Sequence, residues 1–480
     1  MTAERGLTRA AAHASALALG VVTRATGMLP PRLRYGYVYP LTRALLHQPL
    51  PAVQALGAGL KAEPATTPAP AGDLTCVLGV SALDIGGIGS VVELLAAGLP
   101  ARGVTPAVVC LGDGMRAQRL REMGVQVRTV VDRASALSAF AELGPDVIQL
   151  HDAPSFVVAA ARDSGVPLVS VLHNTEIHYS RTRWRRFSEL LEHSVAAVAV
   201  SELVRSFHVG HVAVALRSRI TVIPNAAHGS GLLAPQQRRD ARELVERAVG
   251  GRFGDDVVFV CLARYDAQKN IAGTVASFLA CVASGVPAQL VIAGDPSDWV
   301  EFRRADAIRR GSRDADRVHL LATSDGQTLI AAADAFLLNS YFEGWPVAAT
   351  EAWAAGLPLI LSDVGGAREL VGRDPQRSVL VSNATGNASD VTDARVERSR
   401  WSAKRQQNSA ELSEAIQRVV DTVHRERDVP VAPRDASAGV AATLDEHARL
   451  LRDTAAINTP DEAAQPGRFS GDQRGGTVRI

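Results

Sequence analysis

Residues 335–366 read AFLLNSYFEGWPVAATEAWAAGLPLILSDVGG and hold a complete strand–helix–strand unit. The opening run, AFLLN, has the length and apolar content of a buried strand. A turn bearing Glu343 and Gly344 follows. Pro346 suits the first turn of a helix, where its missing N–H would have no partner anyway. Glu351 falls on that helix, Gly356 ends it, and the apolar run LPLIL opens the next strand. Two strands apolar on both faces with a helix between them predict a parallel sheet covered on each side.

The same alternation extends in both directions. From Asp256 onward the strand-like runs are DVVFVCL, AQLVIAG, RVHLL, AFLLN, LPLIL and SVLVS. Upstream they are TCVLGV, PAVVCL, VQVRTVV, DVIQL, PLVSVL and VAAVAV. Two consecutive doubly wound α/β sheets, meeting within residues 220–255, are the economical reading of a chain of 480 residues. This divides the chain into a helical basic extension and linker (1–72), a first Rossmann-like lobe (73–222), a second (223–427), a closing helix (428–457) and a disordered tail (458–480). The Ala/Pro/Thr composition of residues 62–72 and the Gly/Pro/polar tail from Asn458 offer nothing to pack. No repeat with a period in the 20–50-residue range is visible beyond the alternation itself.

Apolar residues make up 47% and charged residues 21%, enough to bury two cores, and the net charge of +1 argues against nucleic-acid binding through bulk charge. Cys76, Cys110, Cys261 and Cys281 lie in apolar runs without metal-ligand spacing and read as buried free thiols in a reducing compartment. No stretch reaches the roughly 18 apolar residues of a membrane span, and Ala10–Val22 is short and broken by His13 and Ser15. No signal peptide is therefore read, and a cytoplasmic location is expected.

Ligands in doubly wound sheets bind at the carboxyl ends of the strands, which makes the residues directly after each strand the chemistry to weigh. The helix opening at Pro346 offers free N–H groups and a positive dipole end, suited to a diphosphate. Glu343 before that helix and Glu351 on it can accept hydrogen bonds from sugar and ribose hydroxyls. Taken alone, such a pair reads as a helix-start charge and a solvated face residue. The first strand of the second series ends in LARYDAQKN, placing Arg264 and Lys269 at a strand-to-helix turn. Two fixed cations there can neutralise a departing diphosphate without a metal. Arg264 alone reads also as a surface charge, but Lys269 is one of only three lysines in the chain, with Lys61 and Lys404.

On these residues the second half resembles the donor lobe of the GT4 family of retaining GT-B glycosyltransferases. That family's pattern places an Arg and a Lys after the lobe's first strand, then E-G-x6-E-A-x-A-x-G-x-P and D-x-G-G-x-x-E. The matching positions are Arg264, Lys269, Glu343, Gly344, Glu351, Gly356, Pro358, Asp363, Gly365, Gly366 and Glu369. The resemblance implies two Rossmann-like domains facing a cleft, and transfer of a sugar with retention from a nucleotide diphosphate-sugar donor. It implies no metal and no cofactor. Arg264 and Lys269 would hold the diphosphate, Glu351 the ribose, and Glu343 with the amides after it the donor sugar. One departure is Pro346, where many members have glycine, so this position offers no N–H.

The first half matches more loosely. Gly86, Gly87 and Gly89 occupy the first strand-to-helix turn, where glycines let backbone approach a phosphate or sugar. Their spacing is not that of a dinucleotide fold, which disfavours a nicotinamide dehydrogenase. His151 and His173 end two strands, and His173 aligns with a family histidine that contacts the reacting sugar. His173 thus joins Arg264, Lys269 and Glu343 as a catalytic candidate. Gly87 joins the donor-binding set, and Gly86, Gly89 and His151 fall on the acceptor side. Ser201 and Asn225 match markers that close the first lobe and open the hinge. The resemblance covers residues 75–425.

Asp314-Ala-Asp316 looks like the metal-binding D-x-D of another glycosyltransferase fold, but it precedes a strand within a charged run and reads as a solvated face. The acceptor is open between glycolipid, polysaccharide and small molecule. An epimerase or phosphorylase of the same fold and a non-catalytic sugar-nucleotide-binding protein are the alternatives. Residues 1–60 carry six arginines against Glu4, and Arg181–Arg186 read RTRWRR. Peripheral contact with an anionic membrane at its inner face is one reading of these stretches. Helices packed on the first lobe, and an exposed helix start, are the other.

Overall fold

The strands expected from the apolar runs form two wholly parallel sheets. The computed structural model describes residues 2–30, 33–34, 38–55, 74–83, 86–227, 234–426 and 436–457. The linker 62–72 and the tail 458–480 lie outside the described residues.

In the first lobe β1 (Leu74–Ala82), β2 (Val104–Gly112), β3 (Gln126–Thr129), β4 (Val147–His151), β5 (Leu168–Leu172), β6 (Ser194–Ala199) and β7 (Ile220–Val222) line up as β3-β2-β1-β4-β5-β6-β7. In the second β8 (Val257–Leu262), β9 (Ala288–Ala293), β10 (Val318–Leu321), β11 (Ala335–Leu338), β12 (Leu359–Ser362) and β13 (Val379–Val381) line up as β10-β9-β8-β11-β12-β13. Every residue of β4, β5, β9, β11 and β12 is buried, as strands covered on both faces must be. In each sheet the order reverses once, between β1 and β4 and between β8 and β11. These are the positions where crossover helices leave on opposite faces and open a crevice at the strands' carboxyl ends.

Eight helices carry the rest of the account: α1 (Thr2–Gly27), α2 (Tyr39–Leu46), α3 (Gly87–Gly98), α4 (Arg181–His193), α5 (Trp299–Gly311), α6 (Val347–Ala354), α7 (Asp393–Trp401) and α8 (Ala436–Ala456). Helix α8 returns from the second lobe to pack on β4 and β5 of the first, closing the molecule.

The N-terminal extension departs from expectation. It packs against the second lobe rather than the first: α1 lies along α5 and touches α7, and α2 also packs on α5. Ala12 and Thr23 are buried on the inner face of α1, and the His47 ring meets Trp299 edge-on at 4.8 Å. The anchor is Arg34, 2% exposed, which donates to Glu397 Oε1 at 2.6 Å and reaches Asp393 Oδ2 at 3.4 Å. Glu397 also accepts from Arg400 at 2.5 Å, and Arg400 donates to Glu301 at 2.6 Å. Each buried charge in this network has an opposite partner, without which burial would cost several kcal/mol (about 3–5). Extended backbone then pins the segment's end to the loop after β10. Ala322 N donates to Pro51 O at 2.8 Å, Asp325 N to Val53 O at 2.9 Å, and Val53 N to Ser324 Oγ at 3.0 Å.

Candidate active site

One cleft between the lobes is lined by Gly86, Gly87, Gly89, His151 and His173 from the first lobe, and by Arg264, Lys269, Glu343, Gly344 and Glu351 from the second. The parallel sheets bring them together by directing the turns after β1, β4, β5, β8 and β11 toward a common space.

On the second lobe Lys269 Nζ is 2.5 Å from Glu343 Oε1, with 17% and 6% of the two side chains exposed. Gln268 steadies the same turn, donating to Phe342 O at 2.9 Å and lying 3.4 Å from Glu343 Oε2. The Asp266 carboxylate accepts from the Lys269 amide at 3.1 Å and pairs with Arg264 at 3.1 Å, leaving the Arg264 side chain 54% exposed to the cleft. Glu351, on α6, has no hydrogen-bond partner among the described residues, and burial raises its pKa to about 7, with Asp325 adding to the shift and Arg116 opposing it. A desolvated carboxyl without donors is suited to hydroxyls brought by a ligand. Pro346 is the N-cap of α6 rather than its first residue.

The lobes touch at Gly344. A Cβ there would overlap the carbonyl oxygen of His173, so only glycine permits this approach. Gly365, at φ +51°, packs its Cα against the Gly344 carbonyl, and Gly366 N donates to Gly344 O at 2.9 Å. The D-x-G-G turn thus holds the Glu343–Gly344 turn in place. Across the cleft the first turn of α3 faces that of α6, where a Cβ on Gly87 would meet Val347 at 3.5 Å.

His151 is fully buried, with its ring against that of His173. Its Nδ1 lies 2.9 Å from His173 Nε2 and its Nε2 lies 3.1 Å from Gln149 Oε1; Gln149 Nε2 lies 3.0 Å from His447 Nδ1 on α8. Burial holds all three imidazoles neutral near pH 7, with His173 lowered to about 3 and His447 to about 4. The amide orientation then dictates the protons. Gln149 donates to His447, so its oxygen accepts from His151 Nε2–H. His151 Nδ1 is left to accept from His173 Nε2–H, and His173 Nδ1 carries a lone pair. His151, Gln149 and His447 thus form one hydrogen-bonded chain ending on the His173 ring.

Several cleft residues went unread in the sequence. Asp152 and Glu176 follow β4 and β5 beside Tyr179 and Arg183. Burial and the neighbouring Asp152 raise Glu176 to about 7, against the pull of Arg183. Trp345 donates from Nε1 to Thr350 Oγ1 at 2.8 Å and so braces α6. Residues 52–55 of the extension also line the cleft. No motif marks these positions; only the folded chain brings them together.

Asp314 and Asp316 stand before β10, outside the cleft lining, and among the described residues no group of three potential ligands is placed to hold a metal. RTRWRR opens α4 after the N-cap Ser180. Trp184 stacks on His211 at 4.2 Å within a cluster including Phe187 and Phe207. Arg183 and Arg186 line the cleft. The four cysteines are buried and unpaired, and burial pushes the Cys110 and Cys281 thiols up to about 11. No helix among the described residues is long and apolar enough to cross a membrane.

Two Rossmann-like lobes facing a cleft with this arrangement define the GT-B class of protein. Residues 243–394 match the family described as glycosyl transferases group 1, and residues 85–228 match that described as Glycosyltransferase Family 4. A putative glycosyltransferase EpsF of Bacillus subtilis is 30% identical over 217 residues, 43% of this chain and 54% of that protein. A glycogen synthase of Mycobacterium tuberculosis is 30% identical over 240 residues, 47% of this chain and 54% of that one. The chain thus spans about half the length of the curated relatives it matches. Among solved structures, Anabaena Alr3699/HepE in complex with UDP and glucose aligns with TM-score 0.58 at 17% identity, covering 79% of this chain and all of that one. The catalytic domain of starch synthase IV from Arabidopsis thaliana, bound to ADP and acarbose, aligns with TM-score 0.54 at 15% identity, covering 80% and 99%.

Proposed function

We propose that this protein is a retaining, metal-independent glycosyltransferase that moves a sugar from a nucleotide diphosphate-sugar donor on the second lobe to an acceptor hydroxyl entering from the first. The observation that carries this is the convergence of Arg264, the Lys269–Glu343 pair and the unpartnered Glu351 at the carboxyl edge of β8 and β11. The similar structures bound to UDP with glucose and to ADP support a nucleotide donor.

In this reading the diphosphate displaces Glu343 as the partner of Lys269 and lies beside Arg264, while Glu351 accepts from the ribose hydroxyls. Glu343, released, accepts from hydroxyls of the donor sugar, and His173 stands opposite across the Gly344 contact. The barrier is charge separation between an oxocarbenium-like sugar and the leaving diphosphate. Preorganised cations stabilise the leaving group, and lobe closure aligns the acceptor with the anomeric carbon on the face the diphosphate leaves. Donor hydrolysis screened across nucleotide sugars, with the product anomer read by NMR in the first minutes, tests it. Inversion of configuration, an epimerised donor, or turnover only with free phosphate would each displace the proposal.

A peripheral membrane contact of the N-terminal extension belongs to the same reading. Leu17, Val21, Met28, Leu41 and Leu45 are exposed on α1, α2 and the turn after α1, and no carboxylate occurs between Arg5 and Ala62. Apolar side chains interleaved with arginines suit an anionic lipid surface. Because the extension also packs on the second lobe, the test is Leu17→Glu/Val21→Glu in the full chain. This variant should lose co-sedimentation with anionic vesicles. Equal binding by both proteins, or by neither, excludes the extension as the anchor.

A further inference from the structure

The cleft has one wall that comes from outside both lobes. The segment Pro51–Ala55 ends the N-terminal extension, yet Ala52, Val53, Gln54 and Ala55 line the cleft beside Thr323, Ser324 and Asp325. Two backbone–backbone bonds and one from the Val53 amide to the Ser324 hydroxyl fix it to the loop after β10, as described above, and Val53 is buried at 4% exposure, so this strap is held rather than draped. Gln54 and Ala55 remain exposed on the other side of the strap.

The strap's place along the cleft identifies its ligand. Asp325, which donates its amide to Val53, is close enough to Glu351 to raise its carboxyl pKa, and the helix following Asp325 packs on α6. The strap therefore stands at the Glu351 end, away from Gly344 and His173. With the sugar at Glu343, the diphosphate at Arg264 and Lys269 and the ribose at Glu351, the group next along the cleft is the nucleobase. The Asp325 carboxylate is occupied as a helix cap, accepting from Thr328 N at 2.8 Å and Thr328 Oγ1 at 2.6 Å. The Gln54 amide has no partner among the described residues and offers a donor and an acceptor side by side. Paired groups of this kind match the edge of a base, where adjacent donor and acceptor atoms distinguish one base from another.

We propose that Pro51–Ala55 forms one wall of the nucleobase pocket and that Gln54 is a specificity-determining residue reading the base edge of the donor. This rests on the donor assignment above and extends it from the diphosphate to the base.

The experiment is calorimetric binding of uridine, adenosine and guanosine diphosphates, and of inorganic pyrophosphate, to the full chain. Gln54 is exposed, so Gln54→Ala should leave thermal unfolding unchanged. It should weaken the preferred nucleotide roughly tenfold, shrink the spread between the three bases, and leave pyrophosphate binding as it was. Gln54→Glu, which trades the donor for an acceptor, should reorder the bases. Lys269→Ala should instead weaken all three nucleotides alike. If Gln54→Ala binds the three with wild-type affinities while Lys269→Ala weakens them, the base assignment fails and the donor site stands. If no nucleoside diphosphate binds the wild-type protein, both fail.

Discussion

Lys269→Ala perturbs the site in two ways that can be measured separately. In the unliganded protein Lys269 neutralises Glu343 at 2.5 Å, with the carboxylate 6% exposed. Without it, Glu343 keeps only the 3.4 Å approach of Gln268. Breaking a buried pair by removing one partner costs about 3–5 kcal/mol, and the 17% exposure of Lys269 lets water relieve part of it. A loss of about 2–3 kcal/mol follows, a drop of roughly 4–12 °C in the unfolding temperature of a lobe of this size. Turnover should fall by roughly 10²–10³-fold, the effect of deleting one preorganised charge stabiliser. The double variant Lys269→Met/Glu343→Gln separates the two effects, because it removes the uncompensated charge: stability should return while turnover stays low. The assay is the initial rate of donor hydrolysis with the nucleotide sugar the wild-type protein turns over fastest, beside calorimetric unfolding. A Lys269→Ala rate within a few-fold of wild type, with the stability loss present, would make the pair structural and refute the diphosphate assignment.

Gly344→Ala should lower turnover by about 10²-fold or more with little change in unfolding temperature, since the added carbon forces the lobes apart at the His173 carbonyl; an undiminished rate would show that this approach is not needed. Glu351 has its folded pKa raised from 4.5 to about 7, so the folded protein holds the extra proton between those values and stability falls as pH rises from 4.5 through 7. Glu351→Gln should flatten that decline, and calorimetric scans across this pH window showing an unaltered slope would rule the residue out as its source. His447→Leu, which removes the acceptor of the Gln149 amide, should lower kcat about tenfold with KM for the donor nearly unchanged. Nitrogen-15 shifts of the His173 ring should report a mixed tautomer in that variant, and His447→Gln should restore both readouts.

Much of this site was legible because parallel sheets place chemistry by rule. An apolar run long enough for a strand, followed by Glu343-Gly344 or by Arg264 and Lys269, fixes a position at the sheet's carboxyl edge without any tertiary information. Where sequence reading stopped, the reason is long-range contact. That His151 ends a strand is local, but the chain behind it is not: His447, 296 positions later, meets the neighbouring Gln149. The basic segment looked free because its linker has no packing residues. Its partners, Glu397 and Asp393, carry no local signal that pairs them with Arg34. Trp184 among arginines suggested a surface anchor, and only the return of His211 in space shows it stacked.

The docking of the extension on the second lobe has a consequence for biosynthesis. The extension finds its binding surface only when residues 299–325 and 393–401 have been made, since Arg34 meets a residue 363 positions later and Val53 one 271 later. At about 5–20 residues per second, that is a wait on the order of 10–70 s. Through it the apolar flank of the first helix stands exposed while the neighbouring lobe is already able to fold. The nascent chain thus passes through an interval in which its amino-terminal helix must be sheltered by a chaperone or a lipid surface, or risk association with other chains. Slowing translation should lengthen that interval and raise the aggregated fraction.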